Sequence, residues 1–208
     1  MRVYHFLSAK YALDDIKHRR LKIATFDDLN DPYELWAVGQ PDRQLRRGLR
    51  RWKAIMTRDY GMLCFSRGWR NPLLWSHYAD RHGGMVLGFD VNDVSLKYVK
   101  YVTERPVFTN IDERTVQDLL FTKFKDWQYE QETRVFTGLQ ERDRATRLYF
   151  ADFTEDLRLR EVISGPLCTT TKSRIEEALR HYEGPVTLTK ARLGFTSFQI
   201  VKNKKGFT

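Results

Sequence analysis

Two carboxylates and a guanidinium, Glu130, Glu132 and Arg134, alternate with Gln131 and Thr133 in a stretch that opens Trp127-Gln128-Tyr129. If residues 129–136 form a strand, its period of two sets all three charges on one face, with Tyr129, Gln131, Thr133 and Val135 on the other. Aligned charges are costly in a dry core and gain nothing in open solvent. The spacing therefore points either to an internal ion network or to a polar cleft, and it does not choose between them. In a cleft, two such carboxylates could stabilise a cation, or join Asp90 in holding magnesium for a nuclease, although the lysine that follows the commonest nuclease motif is missing. A second concentration is Trp75, Ser76, His77, Tyr78, Asp80 and His82, all within two to three turns of a helix that Asn71 and Pro72 can start. At helical spacing Leu74 shares a face with Tyr78, Trp75 shares one with Ala79, and His77 lies beside Asp80 and Arg81. For a lone helix, Trp75 and Tyr78 read as core and His77 as a satisfied polar residue at its edge.

These residues need elements to hold them. The helix sits between two apolar runs, 62–66 and 84–90, which read as buried strands. Upstream, 3–7 reads as a strand carrying His5, Ser8 as the N-cap of a helix to about His18, and 21–25 as a short strand. Then comes an acidic loop, 27–34, whose Asn30-Asp31-Pro32 is turn chemistry and which either caps the next element or has a function of its own. Downstream, 96–103 reads as a strand and 112–124 as a helix face. Residues 147–153 and 157–163 read as strands, Gly165-Pro166 as a turn, and Thr170 or Thr171 as the cap of a helix containing Ile175, Ala178 and Leu179. Closing strands at 185–189 and 195–201 precede a basic tail, 202–208, expected to fray. With no regular strand-helix alternation and no repeat, the class is α+β, and one domain spans residues 1–208.

Lys and Arg outnumber Asp and Glu by 36 to 27, so nucleic acid or another polyanion is a reasonable partner. Arg43, Arg46, Arg47, Arg50, Arg51 and Arg58 fall within 41–60, where Leu45, Leu49, Trp52, Ile55, Met56 and Tyr60 recur at helical spacing. This predicts an amphipathic helix with an arginine-dense face, which is either solvated or set against phosphates. Cys64 and Cys168 lack metal-ligand spacing, and no secretory signal or membrane span is evident. A cytoplasmic protein with reduced thiols is expected.

The sequence resembles the bacterial domain-of-unknown-function family 2971. The matching pieces are Tyr4-His5-Phe6 with residues 22–34 ending in Asn-Asp-Pro-Tyr-Glu; Cys64-Phe65-Ser66; Leu74-Trp75-Ser76-His77-Tyr78-Ala79 with residues 84–90; and Trp127 through Arg134. The resemblance covers most of the chain. More distantly, an early strand histidine, a strand-borne serine and a later Glu-x-Glu are similar to ADP-ribosyltransferases. That resemblance implies two small, mainly antiparallel sheets forming a cleft that holds NAD, with flanking helices. It implies that His5 contacts ribose, Ser66 supports the cleft wall, and Tyr78 stacks on nicotinamide, with His77 beside it among the cofactor-binding residues. Glu132 would be the catalytic acid and Glu130 would orient an acceptor on nucleic acid or protein, as in a toxin or phage-defence effector. His5 is not followed by the family's His-Gly or His-Thr pair, and Ser66 is not in a Ser-Thr-Ser triplet. The same cleft could instead bind a nucleotide or nucleic acid without chemistry.

Overall fold

The computed structural model describes residues 1–34, 39, 42–108 and 112–207; Pro41 and Thr208, each at the edge of an expected element, lie outside them. The elements are β1 (Arg2–Leu7), α1 (Ala9–His18), β2 (Arg20–Lys22), α2 (Arg43–Asp59), β3 (Tyr60–Ser66), α3 (Pro72–Tyr78), β4 (Met85–Val91), β5 (Lys97–Tyr98) and β6 (Lys100–Val102). They continue with α4 (Glu113–Phe121), β7 (Thr122–Phe124), β8 (Glu132–Gly138), β9 (Phe150–Asp152), β10 (Leu157–Ser164), α5 (Lys172–Ala178), β11 (Thr187–Leu193) and β12 (Ile200–Lys202). Two 3-10 turns, Phe26–Asp28 and Lys125–Glu130, complete the described chain. The fold is mixed α+β.

The sheets are not the two small ones expected. Eight strands run in the order β12-β11-β10-β4-β1-β3-β8-β5, and only β10 and β11 are parallel neighbours, joined through α5. Two-stranded pairs β2-β9 and β6-β7 stand beside this sheet. Yet the large sheet is barely continuous at its middle, because β1 and β3 pair only through Tyr4 and Ser66. By contrast β1 pairs with β4 over six residues and β3 with β8 over seven. Where β1 splays away, the free edge of β3 must find other partners. Ala24 exchanges two backbone hydrogen bonds with Met62, and the His5 ring donates through Nδ1 to the Cys64 carbonyl at 2.9 Å. The split opens a cleft at the centre of the sheet.

Each half packs helices over its apolar residues. Val3 and Leu7 of β1, with Leu87 and Phe89 of β4 and Val162 of β10, join Ala12 and Ile16 of α1 and Ile175 of α5 in the main core. The alternate residues Tyr4, Phe6, Val86 and Ile163 meet Trp75 and Ala79 from the α3 side. Strand periodicity thus sends one set of side chains to each face. Leu49 of α2 and Leu119 of α4 pack together, and Met62 meets Leu120 and Phe26 in a further cluster. Among the described residues no helix is long and apolar enough to cross a membrane.

Several local expectations change; the closing strand expected at 195–201 is a loop up to Gln199 and a strand only from Ile200, and the helix face expected at 112–124 ends at Phe121. The helix begun by Asn71 ends at Tyr78, and Asp80, Arg81 and His82 take left-handed backbone with φ of 46°, 50° and 72°. The chain must reverse tightly into β4: Gly84 donates to the Ala79 carbonyl at 2.8 Å, and a Cβ on Gly84 would lie 2.3 Å from the Leu7 carbonyl oxygen. His77 is therefore not beside Asp80 and Arg81 on a continuing helix. The strand expected at 96–103 is broken at buried Val99, whose N–H donates to the Glu132 carbonyl; β5 pairs with β8 while β6 pairs with β7. The strand expected at 129–136 begins only at Glu132, because Glu130 closes a 3-10 turn and Gln131 is left-handed with φ of 46°.

One buried carboxyl has no short-range ion pair among the described residues. Asp15 lies on the inward side of α1, and burial, reinforced by Asp14 and partly opposed by Arg20, raises its carboxyl to about 7. The fold then binds this proton more tightly than the unfolded chain does. Its effect is neutral below the unfolded value, about pH 4, and becomes destabilising as pH rises toward the folded value, by an amount on the order of a few kcal/mol. Asp15→Asn should raise Tm at about pH 8 and change it little at about pH 4. An equal shift at both would refute the burial of the charge as its cause.

Candidate functional site

The cleft, about 360 Å³, is lined by Tyr4, His5, Phe6, Phe65 and Leu74 along its apolar part and by Ser66, His77, Tyr78, Lys123, Glu130 and Glu132 along its polar part. Asp28, Leu29, Asn30 and Glu34 close it from the acidic loop. His5, Ser66, His77, Tyr78, Glu130 and Glu132, all singled out from sequence, thus meet although more than a hundred residues separate the first from the last. Register explains half of this: Ser66 faces Glu132 directly across β3 and β8, and Tyr4 faces Ser66 across β1 and β3.

The carboxylates are held very differently. Arg134, buried on β8, donates from Nε to Glu132 Oε1 at 2.8 Å and from Nη2 to Oε2 at 2.9 Å, a bidentate pair, and from Nη1 to Glu34 Oε1 at 2.6 Å. Lys123 Nζ lies 2.6 Å from Glu130 Oε2 and 3.3 Å from Glu132 Oε2. Both alternatives left open by the spacing are thus present together: a buried ion network forms one wall of a polar cleft. Burial works against the Glu132 charge, but Arg134 and Lys123 outweigh it and hold the carboxyl down at about 2. Among the described residues Lys123 is the one cation bonded to Glu130, which also accepts a hydrogen bond from the Tyr78 hydroxyl; burial raises its carboxyl, and these partners only partly offset that rise. Burial also opposes the Lys123 charge, yet Glu132, Glu130 and Glu34 raise its affinity for the proton. Glu34, Glu130, Glu132, Lys123 and Arg134 together carry one negative charge in excess, and Glu130 is its least compensated seat.

Around Glu130 the groups form a chain. Asn30 donates to the Tyr78 hydroxyl at 2.9 Å, and Tyr129 and His77 share a hydrogen bond of 3.2 Å between the phenol and Nδ1. Burial, then the neighbouring Glu130 charge, makes the Tyr78 phenol harder to ionise. His5 faces the cleft with its protonated form disfavoured by burial, a lowering that the Cys64 carbonyl opposes. Ser66 is turned back on its own loop, donating to the Gly68 carbonyl at 2.9 Å. It shapes the wall. The Cys64 thiol is pushed well up by burial and by Glu132, so it is no nucleophile here.

Sequence reasoning missed Lys123, Asn30, Glu34 and Tyr101, whose hydroxyl accepts the Glu132 N–H at 2.8 Å. The acidic loop in a basic chain was the available signal for Asn30 and Glu34. Asp90 stands outside the cleft, bound by Arg2 at 2.7 Å and Arg160 at 3.0 Å, so it does not join Glu130 and Glu132. Among the described residues no group of three His, Cys, Asp or Glu side chains could hold a metal ion. The arginine face is a separate place: α2 is capped by Asp42 and buries Leu49, leaving Arg43, Arg47, Arg50 and Arg51 exposed, Arg46 half-buried, and Arg58 paired with Asp59. No family model, curated protein or solved structure matches this chain.

Proposed function

We propose that the cleft binds NAD and that the protein is an ADP-ribosyltransferase-like enzyme of the family-2971 kind, its acceptor on nucleic acid or protein. The observation that carries this reading is the gathering of His5, Ser66, His77, Tyr78, Glu130 and Glu132 around one cavity. Among its lining side chains, Tyr4 and Phe6 suit flat rings, and the Glu130, Glu132 and Lys123 group holds excess negative charge. Negative charge there favours a cation that develops on the substrate. When the bond between ribose and nicotinamide breaks, nicotinamide leaves with the bonding pair and the sugar becomes oxocarbenium-like; a preorganised carboxylate stabilises that charge where it appears. The acceptor then bonds to the same carbon and gives up its proton.

Within this proposal the roles of the two glutamates are exchanged. Glu132 is neutralised by a bidentate arginine, so it anchors the wall, while Glu130, with its raised carboxyl bonded to Lys123, faces the reacting sugar and receives the acceptor's proton. The Tyr78 hydroxyl, itself bound by Asn30, fixes the Glu130 oxygen. The bidentate lock on Glu132 also favours a second reading, a nucleotide-binding module without chemistry. Thermal shift with NAD and assay of nicotinamide release separate the two: a shift with release supports the enzyme, a shift without release under any acceptor supports the module, and no shift rejects both for NAD.

A further inference from the structure

Beside the cleft runs a second groove, of about 420 Å³, whose wall includes Ser66 and Leu74 of the cleft itself. It extends past Gly68, Arg70 and Asn71 to Phe198 and Gln199 in the loop between β11 and β12, and the Ile200 N–H binds the Arg70 carbonyl at 2.8 Å to hold the two segments together. On that loop Phe195 is 89% and Phe198 98% exposed. A phenylalanine ring left in water is costly, and two on one short loop mark a contact surface. The neighbouring cations lie close to aromatic rings: Arg192 is 4.1 Å from the Phe195 ring centre, Arg70 5.8 Å from Trp69, and Arg67 5.4 Å from Tyr98. No described residue lining the groove is acidic.

We propose that this groove, together with the exposed loop at its end that carries Arg192 and Phe195, binds single-stranded nucleic acid, with phosphates against Arg70 and Arg192 and bases stacked on Phe195 and Phe198, and leads one nucleotide to the mouth of the cleft. Exposed rings beside arginines, with no carboxylate among the described residues that line the groove, match what an unpaired strand offers: a charged backbone and exposed base faces. A duplex hides those faces. Leu193 on the same segment and Leu73 in the groove are exposed too, and what favours a strand over a lipid surface is the pairing of ring with cation, Arg192 on Phe195 with Arg70 in the groove. Strand binding stands independently; only the delivery of a nucleotide to the cleft rests on the transferase reading above.

The test is fluorescence anisotropy of a labelled single-stranded oligonucleotide and its duplex, over a salt series, with anionic phosphatidylserine vesicles as a separate probe. The parent should prefer the single strand, and binding should weaken steeply with salt. Phe195→Ala with Phe198→Ala should weaken strand binding at least about thirtyfold while Tm is unchanged, because both rings are solvent-exposed. Arg70→Glu should weaken it and flatten the salt dependence. Reversing Arg46, Arg47 and Arg50 to Glu on α2 should leave the preference for the single strand. Unchanged strand affinity in the phenylalanine variant overturns the proposal. So does loss of binding in the α2 variant alone, which would put nucleic acid on that helix, or loss of vesicle binding without loss of strand binding, which would assign the loop to lipid. Groove-dependent strand binding by a protein that NAD does not stabilise would keep the groove and reject the transferase reading.

Discussion

Arg134→Met should lower stability by about 3–5 kcal/mol. The arginine is buried and serves Glu132 through two bonds, Glu34 through one and the Leu120 carbonyl at 2.7 Å through another. Methionine fills much of the volume but leaves two buried carboxylates without the guanidinium that they share. For a chain of this size the fall in Tm should be about 6–20 °C. The sign of the pH dependence is distinctive. In the parent, the Glu132 carboxyl lies at about 2, below its unfolded value, so it contributes stability that is present above about pH 4.5 and lost as pH falls through 2. Without Arg134 that depression goes, the buried carboxylates take up protons more readily, and the deficit should shrink as pH is lowered from about 7 to about 4. Converting Glu34 and Glu132 to Gln in the same chain should recover part of the loss, since a network removed whole costs less than one partner removed. Calorimetry at both pH values decides: a deficit independent of pH, or no recovery in the triple variant, would mean that Arg134 acts by packing alone.

The same network shows how far the sequence could be read. Alternation correctly linked Glu132 with Arg134, because both lie in β8 and period two is a property of any strand. Glu130 reaches the same cluster by another route, through a 3-10 turn and the bridging Lys123 ammonium, so the expectation about its place was right while the strand invoked for it was not. Lys123 was hidden because the apolar spacing of α4 runs on through Phe124, although the helix stops at Phe121 and the chain becomes β7. Helix starts were legible from local signals: Ser8 and Asn71 cap helices as expected, and of Thr170 and Thr171 the second does so. The union of two half-sheets was not. It depends on one pairing, Tyr4 with Ser66, and on a histidine and a stray alanine that satisfy the edge β1 leaves open, contacts between residues remote in sequence that carry no periodic signal. The left-handed turn at 80–82 was equally hidden, since three successive non-glycine residues with positive φ leave no periodic signal in the sequence.

Glu130→Gln and Glu132→Gln should behave oppositely, and the comparison bears most directly on function. Glutamine keeps the shape of the side chain and a hydrogen-bonding oxygen but removes the charge. At Glu130 the lost charge is the one least compensated by neighbours, while burial already raises the carboxyl, so the fold loses little when it becomes neutral. If that carboxylate stabilises a developing sugar cation and takes the acceptor's proton, nicotinamide release should fall by about two to three powers of ten with NAD affinity retained. At Glu132 the lost charge is the partner of a buried arginine, so Glu132→Gln should cost about 3 kcal/mol or more of stability and weaken folding and ligand binding together. Tyr78→Phe supplies the intermediate case: it removes the hydroxyl that binds Glu130, and should lower turnover and shift its pH profile while NAD still binds. Tm, NAD affinity and nicotinamide release are measured for all three against the parent. If Glu130→Gln releases nicotinamide as fast as the parent, Glu130 is not the reacting carboxylate; if Glu132→Gln loses turnover with Tm intact, the charge that matters is the one paired with Arg134, and the exchange of roles is wrong.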